Sequence, residues 1–301
     1  RTEGLIMLLY MKILLGQLTY LHMRLHFKFL PYVFASALTA SGTQFLSIPT
    51  SAEDLITFNS IWRSPSSFKK NLLGEELSVS YGNWFADFKS FDMKWRGKIV
   101  DQSSQLHFRY LGINDIELRP NKPTSDPLGY YSSYGLSLGA STARKIGDNE
   151  LGLTLKLIRM ELYQYSTTGY AVDIGISRDI NNNLSFTYSL LNIGSLKNLI
   201  DLEPSLPLRS IISSTYDHSF GEISLGIEKN SLVKDIIYSI GIKKNYQGLD
   251  FGLNYHNNQS FQNITSGFSI GIGIFTFNYA FLFGNQQLGT PQFLDIIIRI
   301  P

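Results

Sequence analysis

Asp217, His218 and Ser219 bring together the three residue types of a hydrolytic triad, in which a base takes the serine proton and a carboxylate orients the base. Their adjacency works against that chemistry. Consecutive side chains of an extended segment point to opposite faces, and the three fall where a turn is expected, so a solvated turn is the better reading. The histidines, His22, His26, His107, His218 and His256, show no pair at convincing metal-ligand spacing within the barrel region. No catalytic, metal-binding or cofactor-binding residue is expected, and the chain reads as non-enzymatic. The other polar residues sort by face. Lys156 and Asp173 fall on the small-residue face of neighbouring strands, where an ion pair that fixes register is expected and solute contact is the alternative. Asp295 and Arg299, four apart, share one face, as do His107 and Arg109. With Asp250, Asn254 and Asn278 they form a set expected to line an interior lumen.

A two-residue period positions this set. Phe268, Ile270, Ile272 and Ile274 alternate with Ser269, Gly271 and Gly273; then the phase slips, and Phe275, Phe277, Tyr279, Phe281 and Phe283 carry the large rings. Such a slip marks a tight turn between antiparallel strands. Leu294, Ile296, Ile298 and Ile300 then oppose Asp295 and Arg299. The rule repeats through Leu151, Leu153, Leu155 and Leu157, through Tyr170, Val172, Ile174 and Ile176, and through Leu249, Phe251, Leu253 and Tyr255. Strands are expected near 76–83, 86–97, 104–111, 130–142, 150–162, 168–178, 184–193, 208–217, 221–228, 235–243, 248–256, 264–273, 275–283 and 292–300. In strand after strand the ionisable residues share the small-residue face. A basic side chain facing lipid at mid-bilayer costs about 2–4 kcal/mol, so the sorting is what a wet interior and a lipid exterior impose. The expected fold is all-β: a 14-stranded antiparallel transmembrane β-barrel with a short N-terminal plug segment.

The connections agree. Outer-membrane barrels have short periplasmic turns and longer outer loops. Most even-numbered connections read as short (145–148, 179–183, 218–220, 245–247 and 274/275), and the longest, 112–129 and 194–207, fall at odd positions. Trp84, Tyr130, Tyr131, Tyr163, Tyr165 and Phe283 lie near strand ends and suit interface girdles.

The 301 residues include no cysteine, which excludes a disulfide framework and a thiolate metal site; a net charge of +2 gives no basic face for nucleic acid. With 13% aromatic and 17% charged residues the chain is barrel-like rather than enzyme-like. From Met23 a signal peptide can be read: Arg24, His26 and Lys28, then an apolar run over 29–38, then small residues at 35–37 and 40–42. Residues 1–42 are thus expected to be upstream sequence and signal peptide, 43–74 the plug, and 75–301 the barrel. Ser51 and Asp54 predict a short helix to about Ile61, with Ser51 capping it and Asp54 reaching back.

Several stretches resemble the PorV/PorQ family, a branch of the FadL-like outer-membrane barrels. They are Gln44-Phe45-Leu46-Ser47-Ile48-Pro49-Thr50-Ser51-Ala52, Ser80-Tyr81-Gly82-Asn83-Trp84-Phe85-Ala86-Asp87, Tyr170-Ala171-Val172-Asp173-Ile174-Gly175, Asn192-Ile193-Gly194 and Asn278-Tyr279-Ala280-Phe281. The resemblance implies a fourteen-stranded barrel in the outer membrane of a Gram-negative-type bacterium. It also implies binding or shuttling of exported proteins, or of secretion-system subunits, in a type IX secretion-like system. A FadL-like passage, with a hydrophobic ligand in the lumen, is the competing expectation. Outer-membrane lipid is the expected surround in either case.

Overall fold

The computed structural model describes residues 42–67, 74–120, 125–199, 203–284 and 289–300; the expected signal peptide lies outside them. Fourteen antiparallel strands close into a barrel in sequence order. They are β1 (Glu75–Asn83), β2 (Lys89–Ile99), β3 (Gln102–Leu118), β4 (Gly129–Ile146), β5 (Asn149–Leu162), β6 (Tyr165–Asp179) and β7 (Leu184–Leu196), followed by β8 (Arg209–His218), β9 (Gly221–Asn230), β10 (Ile237–Tyr246), β11 (Leu249–Asn257), β12 (Gln262–Ile272), β13 (Phe275–Gly284) and β14 (Gln292–Ile300). Pairing of β1 with β14, Glu75 opposite Ile300 through Asn83 opposite Gln292, closes the ring and leaves no free edge.

The two-residue period is realised with the expected polarity. Leu153, Ile174 and Phe251 are 41%, 48% and 45% exposed on the outer face, while Thr154, Asp173 and Asn254 are buried inside. No helix among the described residues is long and apolar enough to cross a membrane; the strands do so. All even-numbered connections are short, down to two residues at 100–101, 147–148, 219–220, 247–248 and 273–274, and they mark the inner end. The other end carries the long loops.

The strands differ from expectation where the ladder bulges. β3 does not stop at 111 but resumes after a register shift between Ile113 and Ile116, with Asp115 left-handed at φ +58°. The expected loop over 112–129 is therefore mostly hairpin. Between β6 and β7 the register shifts again, so that Leu191 and Asn192, the latter at φ +62°, stand opposite Asp173.

Inside the barrel lies the plug. A 3-10 turn, Thr43–Ser47, leads to a helix α1, Ala52–Ile56, capped by Ser51, whose Oγ accepts from the Asp54 amide at 3.3 Å. The helix ends five residues earlier than expected, at an extended Thr57. Residues beyond it wind as turns, which lets successive side chains reach different strands. The wall makes room with glycines: a Cβ at Gly135 would stand 2.3 Å from the Phe45 ring, and one at Gly152 2.1 Å from the Pro65 carbonyl carbon.

Candidate functional site

The plug is seated by charge on one side of the lumen. Asp295 of β14 accepts from the amides of Ala52 and Glu53, both at 2.8 Å, and Asn278 of β13 donates to the same carboxylate at 3.2 Å. Arg96 of β2 clasps the Glu53 carboxylate with two bonds, 2.8 and 2.6 Å. Arg109 of β3 binds Asp54 at 3.1 Å and Asp92 at 3.3 Å, so Asp54 serves the wall rather than its own helix. Lys94 donates to Ser51 at 2.9 Å and sits 3.4 Å from Asp92. Four strands, β13, β14, β2 and β3, thus grip one turn of helix through charge-assisted bonds, which are shorter and stronger than neutral ones.

On the opposite side the grip is neutral. Asn254 and Thr265 donate to the Leu55 carbonyl at 2.6 and 3.0 Å, and Asn59 bonds with Thr215 and Ser213 of β8.

The remaining polar residues singled out from sequence occupy several levels. Lys156 and Asp173 meet at 2.5 Å, joined by Asn192, which accepts from Lys156 at 2.8 Å. His107 lies over Gly139 inside the wall. Asp250 faces Lys243 at 3.3 Å towards the inner end. Arg299 does not join Asp295; it lies at the inner rim, 57% exposed in its side chain, and reaches Glu76 at 3.4 Å. His218 and Ser219 touch at 3.3 Å in the exposed inner-end turn.

Trp84 departs from its expected place in an interface girdle. Its amide donates to the Phe88 carbonyl at 2.7 Å, and the tight loop between them, with Ala86 and Asp87 left-handed, turns the indole inward. There it packs on two apolar clusters. One holds Phe45, Leu46, Leu111, Ile158 and Leu206; the other holds Leu55, Ile56, Leu282 and Phe293. The interior is therefore polar at the start of the helix, where Asp295, Arg96 and Arg109 meet it, and apolar where Leu55 and Ile56 join the second cluster.

Between these levels, above α1, lies a pocket of about 220 Å³. Ile48, Pro49, Trp84, Val233, Phe261 and Leu282 line it, and three of them, Trp84, Val233 and Phe261, stand in or beside outer-end loops. Its floor carries Arg63, Arg209, Glu228 and His256. Arg209 and Glu228 form a bidentate pair at 2.6 and 3.1 Å. Arg63 has no such counter-ion within salt-bridge distance among the described residues: it stacks on Phe58 and Trp62 and reaches His256 Nε2 at 3.5 Å. Burial pushes its guanidinium down to about 10.

His256 also touches Ser239 Oγ at 2.7 Å, a serine–histidine contact that invites a catalytic reading. The tautomer runs the wrong way. Arg63 can only donate, so Nε2 accepts and Nδ1 carries the proton towards Ser239, whereas a general base must accept from serine. Among the described residues no three acidic or histidine side chains gather as a metal group. The pocket's apolar lining comes from the plug, the loops and inward positions such as Leu282, which strand period marks only as inward. Trp62 and Arg63, adjacent in the plug, are the sequence signal that could have located its floor.

No protein-family profile matches the sequence, and no curated protein matches it. Among solved structures, the chain is similar to the CymD monoaromatic hydrocarbon channel, with a TM-score of 0.53 and 11% identity over 88% of this chain and 97% of that one. It is also similar to the Pseudomonas putida toluene transporter TodX, with a TM-score of 0.56 and 10% identity over 88% of this chain and 98% of that one. At such identities what is shared is the fold alone, a closed antiparallel β-barrel.

Proposed function

We propose that the chain is an outer-membrane channel that takes in small apolar solutes through the pocket above its plug. The pocket carries the reading. It is walled by rings and aliphatic side chains, faces the long-loop end, and rests on a plug that would have to yield for passage. A cavity of about 150 Å³ suffices for benzene in an apolar core, so 220 Å³ accommodates one substituted ring. The two channels of similar fold are named for a monoaromatic hydrocarbon and for toluene, which supports the same class of solute. In this reading the signal peptide is cleaved on export, and outer-membrane lipid covers the exposed Leu and Phe band.

The test is toluene binding to the purified protein. Wild type binds, and Leu282→Asp, which places a charge in the wall, weakens binding at least about tenfold. Equal affinity of the two proteins counts against the pocket.

A second reading follows the PorV/PorQ resemblance: a non-enzymatic barrel that binds or shuttles exported proteins or secretion-system subunits. The protruding β3–β4 hairpin favours it, because Leu128 and Tyr130 stand 69% and 63% exposed near its tip. Capture of exported proteins by wild type, lost with Leu128→Ser and Tyr130→Ser together, would support this reading.

A further inference from the structure

Three voids are stacked along the barrel. The outer pocket of about 220 Å³ is the first. Beneath it lies a cavity of about 30 Å³ lined by charges, among them Lys94, Arg109, Asp92, Lys156 and Asp173. At the inner end a vestibule of about 580 Å³ opens between Ser103, Ala143, Glu150 and Ser177. Two residues line both the first and the second void: Asp54 and Trp62. Asp54 is fixed by its bond to Arg109. Trp62 is held differently.

The Trp62 ring is clasped by guanidinium groups, Arg209 at 4.3 Å and Arg63 at 5.3 Å from its centroid, and its carbonyl accepts from Arg209 at 3.4 Å. Its indole N–H is buried without an acceptor among the described residues. A buried donor normally finds a partner, so an indole held only by its faces and its backbone is poised to move more cheaply than one also pinned at nitrogen. The two voids it divides differ in their walls, although both carry charges. Above it are Ile48, Phe261 and Leu282; below it is a space large enough for about two waters among ion pairs.

We infer that Trp62 is the gate between the outer pocket and the interior polar cavity. In place, the indole keeps the water and ions of the lower cavity out of the apolar pocket. Displaced, it opens the way inward past Asp54. The sealing role stands on geometry alone; the passage of solute rests on the transport reading above.

The chain has no cysteine, so one introduced thiol reports cleanly. Ser137 lines the lower cavity, is 1% exposed, and its hydroxyl has no partner among the described residues. Ser137→Cys in the full chain, displayed on whole cells, is treated with a charged, membrane-impermeant methanethiosulfonate added outside. With Trp62→Ala as a second change, labelling should run at least about tenfold faster than with Trp62 present, the rate being set by opening of the cover. Trp62→Phe should restore slow labelling. Val233→Cys, in the outer pocket, should label equally in both backgrounds and so report folding and orientation. Equal Ser137→Cys rates with and without Trp62 would overturn the gate. Should Trp62→Ala not fold, Trp62→Leu carries the same comparison with the same two outcomes. Toluene binding on the same proteins separates the two claims: no binding with the labelling contrast intact sinks the transport reading alone, and binding without the contrast sinks the gate alone.

Discussion

Asp295 accepts the Ala52 amide at 2.8 Å across 243 positions of sequence, and its second oxygen takes the next amide, Glu53, at the same distance. The carboxylate thus satisfies two amides of the plug helix that have no partner within the helix, at a site from which water is excluded. Asp295→Ala should loosen the plug by about 2–4 kcal/mol, the value of charge-assisted bonds lost to buried donors. Hydrogen exchange at Ala52 and Glu53 should accelerate to match while the barrel amides stay protected. Unchanged exchange at those two amides would show that the plug is held elsewhere.

The wall's close approach to the plug gives an independent handle. A Cβ on Gly152 meets Pro65 backbone at 2.1 Å, and backbone cannot swing aside as a side chain can. Gly152→Ala should cost about 1–3 kcal/mol by overpacking and displace the plug, raising single-channel conductance in planar bilayers. Gly129→Ala, where nothing lies within 4 Å, should leave conductance at the wild-type level.

The polarity of the sheet is tested from outside. Leu253, 48% exposed in mid-strand, faces lipid. Leu253→Arg should destabilise the barrel by about 2–4 kcal/mol in reversible urea unfolding from phospholipid vesicles. A water-facing position would show no such loss.

Much of this barrel was legible in the sequence and most of the pocket was not. Alternation of apolar and small residues placed all fourteen strands because lipid and lumen each act on one face of every strand, a local signal. The pairing of Lys156 with Asp173 followed from the same parity. The bulges did not, since one extra residue at Asn192 or around Asp115 leaves no mark on composition. Trp84 was misplaced because proximity to a strand end says nothing about which way a left-handed loop turns an indole. The seating of α1 on Asp295 depends on contacts more than two hundred residues apart, and a two-residue period carries no information about them. Arg299, four residues from Asp295 on the same face, shows the converse: shared parity gives the side of the wall but not the depth, and Arg299 ends at the rim.

The Arg63 cation on the pocket floor predicts selectivity. Among the described residues the buried Arg63 has only a weak imidazole acceptor, so a solute bearing a carboxylate on its ring gains a partner that toluene lacks. Benzoate should bind wild type at least about tenfold more tightly than it binds Arg63→Gln, a difference of ~1.4 kcal/mol, while toluene affinity stays nearly equal. Calorimetry on the two proteins with the two solutes gives the four numbers needed.

The most direct test of the whole account is a crystal of the full chain grown with bromobenzene, whose anomalous signal locates the solute without interpretation of weak density. A peak above α1, in contact with Trp84, Phe261 and Leu282, is the expected result. Peaks confined to the lipid-facing surface, with that pocket empty at saturating solute, would contradict it.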